Sequence, residues 1–166
     1  MMRMNEEGQK KLRELVEDIK TCMFTTTDEN CVVFSRPMFT VSLDNEFNLW
    51  FFVNESSDKM KDIMPGKEVT LVYSHPGKNA YMNITGHCTI SYDREKMKAI
   101  WTPALKAWFP EGIDSPSVCL LKVVIDEAGY WDNSSNDMVC LHKNEPHITY
   151  QDEEETEDFI PQTSHW

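Results

Sequence analysis

At 166 residues, with 40% hydrophobic and 11% aromatic side chains, the chain is long enough for one domain with a sizeable core. Its net charge of −12 argues against the broad basic surface that nucleic-acid backbones require. No apolar run approaches a membrane span and the opening MMRMNEEGQKKLREL has no signal-peptide core, so a cytoplasmic protein with no membrane and no nucleic-acid partner is expected.

Leu12, Leu15, Val16 and Ile19 recur at helical spacing and predict an amphipathic helix over 6–20. β-formers dominate from Thr21 onward, with strands expected at 22–27, 31–41, 47–53, 68–74, 79–91, 117–126 and 137–141. Helical segments fit 57–64, stopped by Pro65-Gly66, and 93–101, opened by Asp93 as N-cap. SHPGKN at 74–79 has the composition of a hairpin turn, and TPALKAWFPEG that of a short aromatic turn. Short strands with few helices predict a mainly β (α+β) fold, a small antiparallel barrel with helices packed outside, and Gly86 is placed to bend its longest strand. Residues 1–141 read as one domain. Residues 142–166 hold seven acidic side chains and one lysine, half of the net charge, and read as a solvated acidic tail.

Most enzyme templates are absent. The six glycines are never closer than nine residues apart, which excludes GxGxxG and Walker A loops, and neither GxSxG nor HExxH occurs. Five scattered cysteines offer no zinc spacing beyond a weak Cys140-Leu141-His142, so no metal site is expected and the thiols read as small hydrophobes. No general acid or base stands out; His75 in a turn and His87 on a strand read as structural or solvent-facing. What remains is LWFFVNESSDKMKDIM at 49–64, where an apolar strand ends in small polar residues and a lysine at a helix start, a suitable place for a phosphate. The second candidate is FSRPMF at 34–39, with Arg36 and Pro37 inside an apolar strand. That pattern fits an edge strand whose arginine reaches water, or a guanidinium aimed at a bound anion with Lys59 as a second cation.

In these stretches the sequence resembles the FMN-binding split-barrel superfamily of pyridoxamine 5′-phosphate oxidase, its general stress protein branch most closely. The resemblance rests on FFVNESSDKMKDI, SRPM, LVYSHPGKNAYMNITGHCTISYDREKMKAIW, AWFPEGIDSPSVCLLKV and YWDNSSNDMV, and covers roughly residues 8–141. It implies a Greek-key split β-barrel, a homodimer with flavin sites between subunits, FMN as cofactor (FAD or coenzyme F420 fitting less well), and a small-molecule redox substrate. It also implies that Arg36, Ser57 and Lys59 meet the FMN phosphate and that Pro37 and Met38 adjoin it. Phe51, Phe52 and Val53 would lie along the flavin, with Tyr81 contacting it from the other subunit. Trp131 is either a core or interface aromatic or a wall of the flavin space. Asp58 stands where the oxidase has an arginine, Val53 where it has a threonine, and Val41 where it has the lysine for its substrate's phosphate. The implied activity is therefore flavin-dependent oxidoreduction of something other than pyridoxamine phosphate. The alternative is a non-catalytic split-barrel dimer for flavin or another small ligand that has lost turnover or its cofactor.

Overall fold

The computed structural model describes residues 6–55 and 67–132, and residues 135–143 as backbone. Helix α1 (Glu6–Ile19) turns Leu12, Leu15 and Val16 inward and packs against β5 and β8 of the sheet. The strands are β1 (Thr21–Thr27), β2 (Val33–Phe39), β3 (Ser42–Leu43), β4 (Asn48–Asn54), β5 (Lys67–His75), β6 (Ala80–Ser91), β7 (Val118–Asp132) and β8 (Ser135–Lys143). They form one sheet in the order β2-β1-β5-β6-β7-β4-β3, with β8 also paired to β7, and every described pairing is antiparallel. Helix α2 (Arg94–Ile100) begins as expected, the Asp93 carboxylate accepting from Glu95 N and Lys96 N. The turn at 74–79 is a 3-10 turn over Pro76–Lys78 closed by Asn79 in the left-handed region. The helix expected at 57–64 lies outside the described residues.

The fold is a split barrel: the sheet curls until opposite strands touch, and Phe24 on β1 meets Phe51 on β4 edge to face, ring centres 5.7 Å apart. Alternation accounts for the curl's interior. Cys22 and Phe24 of β1, Val69, Leu71 and Tyr73 of β5, and Met82 and Ile84 of β6 all point into the main core. Strand β6 bends where the register slips between Thr85 and Gly86, and a Cβ on Gly86 would overlap the Val124 carbonyl oxygen and lie 2.9 Å from Val123 Cγ1. The long β7 uses its other edge twice, pairing with β4 through Val118–Val124 and with β8 through Glu127–Asp132.

Two expected strands are extended and one strand is added. Strand β7 runs six residues past the expected 126, because the bulge lets it stay paired with β6 through Trp131. Strand β3, two residues long, carries too little pattern to be seen in sequence. Strand β8 continues to Lys143, past the expected domain edge at 141, with His142 opposite Ala128 and Lys143 opposite Glu127. No helix among the described residues is long and apolar enough to cross a membrane.

Candidate functional site

Strand β4 explains the apolar run LWFFV. It is buried on both faces, so period-2 alternation disappears. Phe51 and Val53 enter the main core, while Trp50 and Phe52 enter a second cluster with Met97, Leu105, Val118 and Leu120 beneath α2. Phe52 meets Trp101 edge to face at 5.1 Å and Phe109 at 6.3 Å. Trp101 is thus a core aromatic. Val41, at the position of the oxidase's substrate-phosphate lysine, packs on the same cluster.

With its side chains committed to two cores, β4 has only its backbone edge to offer a ligand. One edge is paired with β7 along its whole length. The other meets β3 only at Leu49 and Trp50, closed by Asp44 N donating to Asn48 O and Val41 N to Trp50 O. By the antiparallel alternation, the next N–H and C=O on that edge belong to Phe52, and no described strand pairs with them.

Arg36 is delivered to the barrel's inner face by β2. It stands opposite Phe24 in the ladder and is only 8% exposed. β2 is the edge strand that one reading expected, but the Arg36 side chain is buried instead of reaching water. Its Nη2 donates to Thr26 Oγ1 at 3.1 Å, a diagonal contact across the β1–β2 ladder, and Thr26 is 1% exposed. Since Phe24 also touches Phe51, the wall carrying Arg36 and Thr26 abuts the wall carrying the open β4 edge. Pro37 faces outward on the edge strand, where its missing N–H costs no ladder bond, and Met38 is half-buried against the main core.

Tyr81 and Trp131 are brought together but held away from Arg36. They are direct cross-strand partners on β6 and β7, 38% and 37% exposed. They lie on the outer face, and Arg36 faces inward from β2, three strands from β6 in the sheet order. At about 4.8 Å per strand that is about 14 Å of sheet. Ser57, Lys59 and Asp58 lie outside the described residues.

The histidines behave as their sequence context suggests. His75 Nδ1 accepts from Lys78 N at 3.2 Å in the turn, and His87 pairs with Asp126 at the bulge on the solvent side. Thr26 escaped the sequence reading; its one signal is the alternation Cys22, Phe24, Thr26, which marks it as inward-facing two positions beyond Arg36's partner.

The sequence profile described as pyridoxamine 5′-phosphate oxidase like matches residues 7–154. Protein bli-3 of Neurospora crassa is 24% identical over 127 residues, 70% of this chain, and the chain spans 61% of the length of that curated relative. Two solved structures share the fold. A Clostridium acetobutylicum protein related to general stress protein 26 of B. subtilis superposes with a TM-score of 0.68 at 23% identity, covering 82% of this chain and 96% of that one. The general stress FMN/FAD binding protein of Xanthomonas citri does so with a TM-score of 0.67 at 24% identity, covering 81% and 95%. At such identities the likeness speaks to the split-barrel fold, while the profile match spans most of the sequence. The chain belongs to the pyridoxamine 5′-phosphate oxidase like family.

Proposed function

We propose that this protein binds a flavin, FMN by preference, in sites shared between the two subunits of a cytoplasmic homodimer, and uses it for oxidoreduction of a small molecule. The observation that carries this reading is a buried guanidinium on β2 together with a backbone edge of β4 that no described strand covers. An isoalloxazine needs an apolar surround and hydrogen-bonding groups at its ring edge, and its phosphate needs charge-assisted donors. Arg36 is such a donor. Phe52 N–H and C=O are suited to the ring edge, and the side chains of Phe51, Phe52 and Val53 act from beneath by holding that edge rigid. Ser57 and Lys59 complete the phosphate site in this reading.

Tyr81 and Trp131 enter through the partner. Met23, Val72, Tyr81 and Trp131 are exposed apolar side chains on the outer face, with Pro37 opposite Met23 in the ladder. A second copy covering this face would bury them. When bound, the flavin supplies the redox chemistry, and the chain supplies binding, orientation and access. With Val41 in place of a lysine, pyridoxamine phosphate is not the substrate.

The second reading, a flavin-binding protein without turnover, draws on one observation: Arg36, Thr26 and Phe51–Val53 include no group that exchanges protons near neutral pH. Fluorescence titration of FMN with the full chain tests the proposal. Quenching that saturates at one FMN per chain is expected, followed by bleaching of the bound flavin with NADH or NADPH if the protein is an enzyme. Absence of binding by FMN and FAD alike contradicts the proposal. Binding without reduction by any donor favours the second reading.

A further inference from the structure

Trp50 carries a lysine from each of two elements. Lys96 of α2 holds its Nζ 4.8 Å from the centre of the indole ring, and Lys122, the cross-strand partner of Trp50 on β7, holds its Nζ 5.7 Å from it. The two ammonium groups are therefore within about 11 Å of each other, close to one Debye length in physiological salt, and act on an anion as one site. Both lysines are half-buried. The ring attracts them through its quadrupole and leaves their charge intact. Lys10, Lys78 and Lys98 each reach a carboxylate, those of Glu14, Asp18 and Glu95 in turn, whereas among the described residues no carboxylate forms an ion pair with Lys96 or Lys122. Asp44 touches the same indole, accepting from Trp50 Nε1 at 2.9 Å, yet its oxygens also serve Glu46 N, Asn48 N and Asn48 Nδ2. In a chain of net charge −12, this is a pair of cations held together without a counter-ion.

The chain carries a counter-ion of its own within reach. β8 and β4 lie on the same edge of β7, with Lys143 opposite Glu127 and Asn48 opposite Val124, so β8 ends running toward the start of β4, two residues before Trp50. Lys122 is five residues along β7 from Glu127, about 17 Å. Beyond Lys143, outside the described residues, six of the seven residues at 152–158 are acidic. Nine residues of chain from Lys143 to Asp152 span up to about 30 Å. We propose that the acidic run 152–158 docks on Lys96 and Lys122 across Trp50, an electrostatic contact within one chain. A tethered segment meets such a site at an effective concentration of about millimolar, so a contact of modest strength is populated. The proposal does not depend on the flavin reading.

The test is zero-length carbodiimide cross-linking of the full chain, mapped by mass spectrometry, with the acetylation rates of the same lysines as a second readout. Peptides joining 152–158 to Lys96 or Lys122 are expected in excess over those joining it to the exposed Lys106. Raising the salt to about 1 M, where the screening length is about 3 Å, is expected to reduce them at least fivefold. Acetylation of Lys96 and Lys122 is expected to speed up by about threefold over the same range, since protection by half-burial alone does not respond to salt. In an equilibrated mixture of isotope-labelled and unlabelled protein, the cross-linked peptides are expected to carry one isotope only. Cross-links that reach Lys106 as often, or that survive the salt unchanged, overturn the proposal. Cross-links between isotopes assign the contact to a second copy and overturn it. Lysines slowed only when inorganic phosphate is added, with no cross-link to 152–158, assign the site to a free anion and overturn it as well.

Discussion

Cys22 and Thr26 occupy the same face of one short strand and have opposite uses. Burial pushes the Cys22 thiol up to about 12, with Tyr73 and Thr40 hydrogen-bonding beside it, and pushes Cys119 up to about 11, helped by the nearby Glu55 carboxylate. Thiols in that state keep their protons at neutral pH and are poor nucleophiles. Cys31 is exposed in the β1–β2 turn. Brief iodoacetamide treatment of the native protein at pH 8, followed by peptide mapping, is expected to alkylate Cys31 and leave Cys22 and Cys119 intact; modification of either buried thiol without denaturant would contradict their placement. Arg36 was legible because a charge inside FSRPMF breaks an apolar pattern. Its burial was not, because it is fixed by pairing with β1, twelve positions away in the register Phe24 to Arg36 and beyond the reach of local pattern. Thr26 was invisible for a simpler reason: threonine is an ordinary strand residue, and only the diagonal contact gives it a role.

At the scale of elements, the β3–β4 hairpin sets where the open edge of β4 begins, and Asp44 holds that hairpin. Its carboxylate accepts from Glu46 N at 2.9 Å, Asn48 N at 2.9 Å, Asn48 Nδ2 at 3.1 Å and Trp50 Nε1 at 2.9 Å. Arg13 of α1 reinforces the turn by donating to the Leu43 and Asp44 carbonyls. Burial alone would raise the Asp44 pKa, but the bonds from Trp50, Asn48 and Glu46 outweigh it and hold the carboxyl below its ordinary 3.8. A depressed carboxylate contributes its full stability above the unfolded value and loses it as pH falls through the folded one, so the window lies below pH 3.8. Asp44→Ala is expected to cost about 2 kcal/mol at pH 7 in urea unfolding and to flatten the fall in stability below that pH. An unchanged acid slope would show that the hairpin does not depend on the carboxylate. The apolar run of β4 was legible as a strand. Its meaning was not, since an apolar surround for a ligand and burial between two cores leave the same sequence trace, and only the positions of α2 and Phe109 separate them.

The whole molecule exposes Met23, Val72, Tyr81 and Trp131 on its outer face while carrying a net charge of −12, and in the dimer reading these side chains form the contact between copies. Met23→Asp on β1 and Trp131→Glu on β7 each place a carboxylate on that face. Both are expected to weaken dimerisation by at least about tenfold in sedimentation velocity and to lower FMN affinity with it, while leaving the circular dichroism unchanged. A variant that stays dimeric would move the interface elsewhere. The barrel itself was largely readable, because short strands, turn residues and one bend at Gly86 agree at every level. What joins the strands was not: β7 pairs with β6, β4 and β8 along one strand, a topology that no local signal carries. The central claim, a dimer with flavin shared between its subunits, is tested most directly by native mass spectrometry of the full chain after incubation with FMN. The account predicts a dimer carrying two FMN molecules. A monomer, or a dimer with no added flavin mass, would contradict it.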